Sequence, residues 1–85
     1  PGTVKSIQIT SHQLYTTEFV MMLSGDKLDY RNIYALKDDG TMVFPSRVRF
    51  VDEHTEVTIP YDGKSLNIYI PDLDGNILQA ILSER

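Results

Sequence analysis

Eighty-five residues, 41% of them hydrophobic and 24% charged, can build one domain around one modest core and leave no room for a second. A net charge of -4 argues against nucleic acid as a partner, because phosphate binding relies on clustered Lys and Arg, and no apolar run approaches the roughly 20 residues that cross a bilayer as a helix. With no cysteine there is no disulfide, no thiolate nucleophile and no Cys-ligated zinc.

The chain opens on Pro1, with neither an initiator Met nor the charged and apolar regions of a signal peptide. It is expected to be a single domain, residues 1–85, excised from a longer multidomain protein. A terminal proline amine serves as the base in tautomerases, but there a strand and a long helix follow it. Pro1-Gly2-Thr3 leads instead into one strand-like segment after another.

In chain order, the first segment is Val4 to Thr10, where Ile7 and Ile9 alternate with Ser6, Gln8 and Thr10 in the period-2 pattern of a half-buried strand. The run Phe19-Val20-Met21-Met22-Leu23, inside Glu18 to Ser24, is too short for a typical helix and fits a central strand packed on both faces. Asn32 to Lys37 and Thr41 to Phe44 flank Asp38-Asp39-Gly40 as a hairpin. Pro45, which cannot donate to a ladder, marks a change of direction.

Arg47 to Val51 alternates most clearly, with Val48 and Phe50 to one side and Arg47 and Arg49 to the other, and Glu56 to Ile59 and Leu66 to Ile70 repeat the pattern. Ile77 to Leu82 fits a helix face through Ile77, Leu78, Ile81 and Leu82, or a strand face through Leu78, Ala80 and Leu82. Its place at the end of a run of strands favours the strand. Turn signals at Ser24-Gly25-Asp26, Asp38-Asp39-Gly40, Tyr61-Asp62-Gly63 and Asp74-Gly75-Asn76 punctuate the series. Seven or eight short, mainly antiparallel strands with no long helix predict an all-β fold, a small immunoglobulin-like β-sandwich.

Several stretches resemble the IPT/TIG family of immunoglobulin-like domains. Val4-Lys5-Ser6-Ile7 resembles its opening strand, and Phe19 to Leu28 its second strand with the turn that follows. Asp52 to Pro60 is similar to its Thr-and-apolar strand ending in proline, and Leu66 to Ile70 with Asp74-Gly75-Asn76 resembles its penultimate strand and the turn into the last. Family members usually carry a Pro-x-x-Gly turn between the first two strands, where this chain has Ser11 to Thr17. The resemblance implies interdomain spacing or partner binding, no shared catalytic residue, and an extracytoplasmic or cell-surface setting.

Residues that could carry chemistry are sparse. His12 and His54 are isolated, whereas zinc requires three or four close ligands, and Ser11 and His12 as strand neighbours point to opposite faces. Asp72, Asp74 and Asn76 are spaced like the start of a calcium loop, but the glycine and glutamate that complete one are missing, and a polar hairpin turn is the better reading. Arg47 and Arg49, with Arg31 and Lys37 as further candidates, could form a basic stripe for a carboxylate-bearing partner, or a solvated face balanced by Asp52, Glu53 and Glu56.

Tyr15, Tyr30, Tyr34, Tyr61 and Tyr69 could serve as protein hot spots or sugar platforms, with Tyr34 and Tyr69 expected to face away from their strands' apolar neighbours and Tyr61 placed in a turn. The sequence therefore predicts a non-catalytic structural or interaction module without a cofactor or metal. Its expected partners are flanking domains or another protein, and its candidate surface is Tyr34, Tyr69, Arg47 and Arg49. A carbohydrate-binding module is the alternative.

Overall fold

The structure, a computed structural model, describes residues 7–15, 17–25 and 27–84. It contains β1 (Ile7–Leu14), β2 (Glu18–Gly25), a 3-10 turn (Tyr30–Asn32), β3 (Tyr34–Lys37), β4 (Met42–Val43), β5 (Arg47–Val51), β6 (His54–Pro60), β7 (Leu66–Pro71) and β8 (Ile77–Leu82). The strands form two antiparallel four-stranded sheets, β1-β2-β6-β5 and β4-β3-β7-β8. This is the strand order of an immunoglobulin-like sandwich, with β4 added beside β3.

Alternation sets the core. Phe19, Met21 and Leu23 of β2 and Val57 and Ile59 of β6 pack inward from one sheet; Ala35 of β3 and Leu66, Ile68 and Ile70 of β7 meet them from the other. Removing several carbons from a fully buried aliphatic side chain costs about 2–5 kcal/mol, so these rows dominate the stability of the fold. At Pro45 the chain crosses from β4 in one sheet to β5 in the other, so the proline's missing N–H falls between ladders, as expected of it.

Some boundaries differ from the sequence expectation. The first strand continues past Thr10 to Leu14, because a bulge between Ile9 and Ser11 resets the register and lets Ser11 to Leu14 pair with Met22 to Phe19. Val4 to Ser6 lie outside the described residues. β2 is central, but only its inner face is closed: Val20 and Met22 are half-buried on an outer face that no further layer covers. The hairpin strands β3 and β4 are shorter than expected, since Tyr30–Asn32 turns as a 3-10 helix and β4 keeps only Met42 and Val43. The ambiguous last segment is a strand, paired to β7 from Pro71↔Ile77 to Leu66↔Leu82.

Phe50 departs from its expected burial. It points to the core side of β5, yet it is 67% exposed, on a strand that forms the edge of its sheet. Its ring meets Tyr30 edge-on at 5.1 Å. The β5–β6 turn places Asp52 and Glu53 at φ 48 and 66, the left-handed pair that a two-residue hairpin needs to follow the strand twist.

Candidate functional site

The four residues expected to form a partner surface fall on opposite outer faces of the sandwich. Arg47 and Arg49 lie on β5, in register with Thr58 and Glu56 of β6. Arg49 Nε donates to Glu56 Oε1 at 2.7 Å, and this bond, aided by the charges of Arg49 and Arg47, holds the Glu56 carboxyl below its ordinary 4.5. Half of the expected basic stripe is thus neutralised across the strands. Arg31 and Lys37 do not extend it: Arg31 sits over the Tyr30 ring at 5.8 Å, and Lys37 bonds Asp62 at 3.0 Å near the β3–β4 turn.

Tyr34 and Tyr69 come together. The register of β3 and β7 sets them opposite each other on the outer face of the second sheet, where their rings stack at 5.0 Å with planes 21° apart. The spacing is close to the distance between neighbouring strands, so each ring lies against the other.

Around this pair the outer face carries no charge at any strand position. β4 and β3 contribute Met42 and Leu36, in register with each other, and Leu36 faces Asn67 of β7. Across β7 and β8, Asn67 faces Ile81, Tyr69 faces Gln79 and Pro71 faces Ile77. Met42, Ile77 and Ile81 are more than half exposed, at 51%, 53% and 66%. On a sandwich sheet the outward positions are ordinarily polar, so a contiguous apolar and aromatic face with only two amides is an unusual solvent surface. The tyrosines are visible in the sequence but the face is not, because Ile77 to Leu82 fits a helix as well as a strand, and only a strand turns Ile77, Gln79 and Ile81 outward together.

The remaining candidates are structural. Tyr61, expected in a turn, follows β6 and is buried, and its hydroxyl donates to Ser83 O at 2.8 Å. Tyr30 packs on Phe50, and Tyr15 is exposed beyond β1. His12 lies against the Phe19 ring at 5.6 Å, and His54 Nδ1 is 2.9 Å from Asp52 O. Asp72 is buried and organises its turn: Oδ1 accepts from the backbone N–H of Asp74 and of Asn76, and Oδ2 accepts from Asn76 Nδ2. The hairpin-turn reading of Asp72, Asp74 and Asn76 is what the geometry shows.

Two other carboxylates are held down by local bonds. Thr41 hydrogen bonds to Asp39, from its side chain and its N–H, lower that carboxyl below 3.8. Asp62 is lowered by the Lys64 N–H and then by Lys37. Among the described residues no group of three or more His, Asp or Glu is arranged to hold a metal, and no helix is long and apolar enough to cross a membrane. Pro1 lies outside the described residues. No family model, curated protein or solved structure matches the chain.

Proposed function

We propose that this domain is a non-catalytic interaction module of a multidomain protein, and that it docks a neighbouring domain or a partner protein on the outer face of β4-β3-β7-β8. The observation that carries the reading is the stacked Tyr34–Tyr69 pair at the centre of an uncharged sheet face. Interface cores are depleted in charge and enriched in Tyr and Met, which is the composition of this face. Arg47 and Arg49 belong to a separate surface and take no part. Kinship with the IPT/TIG domains is part of the proposal, and the immunoglobulin-like strand order supports it.

A carbohydrate ligand is the second reading, favoured by the Asn67 and Gln79 amides beside the rings. A sugar stacks on an uncovered ring face, and here each tyrosine covers one face of the other, so a protein surface is the better fit. Oxidative side-chain labelling compared between the isolated domain and the longer polypeptide, with a glycan array alongside, tests both. Reduced labelling of Tyr34, Met42 and Tyr69 in the longer chain is the expected result, since docking on this face covers side chains whose strand amides are already paired. Equal labelling in the two, with glycan binding, would move the assignment to the sugar.

A further inference from the structure

A sandwich of two open sheets has four edge strands, and three of them here carry a feature that discourages pairing. β1 is broken by the bulge between Ile9 and Ser11. β4 is two residues long, with Pro45 just beyond it. β5 displays Arg47 and Arg49. β8 has no such feature: Ile77-Leu78-Gln79-Ala80-Ile81-Leu82 includes no charge, proline or glycine, and its register to β7 is unbroken. Among the described residues its other side pairs with no strand.

We propose that β8 is a self-association edge, occupied by β8 of a second copy of this chain laid antiparallel to it. In a two-fold pair each residue meets its own strand, so an edge with charges of one sign repels itself, whereas this one does not. Paired residues in a continuous sheet must share a face. A two-fold axis through Gln79 meets that condition: it sets Gln79 against Gln79, Ile77 against Ile81 on the outer face, and Leu78 against Ala80 on the inner one.

The inner row then alternates large with small, and the two amides at the axis face each other. Nothing on β8 is charged to select a foreign strand, which favours the second copy as its occupant. The two sheets become one of eight strands, and the two uncharged outer faces become continuous. A single six-residue edge buries less than the ~1,000 Å² of a stable interface, so the dimer is weak and rises with concentration. It uses the sheet's edge and does not depend on docking to the Tyr34–Tyr69 face.

The test is sedimentation equilibrium of the chain from micromolar to millimolar concentration, with amide exchange on the same samples. The expected result is a mass climbing toward twice the monomer, with new protection confined to alternate amides of Ile77 to Leu82. Gln79 is exposed, so Gln79→Lys leaves the melting curve unchanged while placing two ammonium groups at the axis, and it should hold the chain monomeric. Ile81→Lys should do the same. Tyr34→Ser and Tyr69→Ser, on inner strands, should leave the association intact. A chain that stays monomeric throughout overturns the proposal, as does a dimer that survives Gln79→Lys or is lost in Tyr34→Ser.

Discussion

The Tyr61 hydroxyl donates to the Ser83 carbonyl at 2.8 Å, tying the connection after β6 to the chain just past β8. Tyr61 is buried whereas Ser83 is exposed, so the bond is partly sheltered from water. Tyr61→Phe keeps the ring packing and removes only the bond. It should cost about 1 kcal/mol in urea unfolding and speed amide exchange at the C-terminal end of β8.

Glu53 sits at φ 66 in the β5–β6 turn, where a side chain pays a steric penalty that glycine avoids. Glu53→Gly should stabilise the domain by about 1 kcal/mol, the left-handed strain outweighing the extra freedom glycine gains when unfolded. A lower urea midpoint for this variant would contradict the turn geometry.

The lowered carboxyls set an acid limit. Asp39, Glu56 and Asp62 all ionise more readily when folded than when unfolded, so the unfolded chain takes up more protons as pH falls. Their contribution is present above the ordinary values of 3.8 and 4.5 and is lost as pH falls below them. Melting temperatures should hold near neutrality and decline below about pH 4.5, and Glu56→Gln should decline less steeply over that interval.

Asp72 gives a fourth expectation. Its oxygens already accept three N–H bonds from its own turn, which satisfy most of the carboxylate and leave it little to offer calcium. Millimolar calcium should leave the melting temperature unchanged, while Asp72→Ala should lower stability by about 1–3 kcal/mol through the donors it strands.

Alternation made most of the sandwich legible in sequence, and Arg47–Val51 and Ile77–Leu82 are strands over the expected residues. Pairing decided what alternation could not. Ser11 to Leu14 contains no strand-like apolar row and becomes a strand because β2 offers it a ladder beyond the bulge. Phe50 has the period of a core residue and the exposure of an edge one, since position in the sheet is a tertiary fact. The candidate face was half visible for the same reason: Tyr34 and Tyr69 could be named separately, but their stacking depends on a register between strands about 30 residues apart.

The ends of the first and last strands add a mechanical consequence. Ile7 opens β1 opposite Gly25, at the end of the sandwich that holds the Asp52-Glu53 turn, whereas Leu82 closes β8 opposite Leu66, at the end that holds Tyr61. Polypeptide joined at both places leaves from opposite poles, so tension passes along the body and does not fold it back on itself.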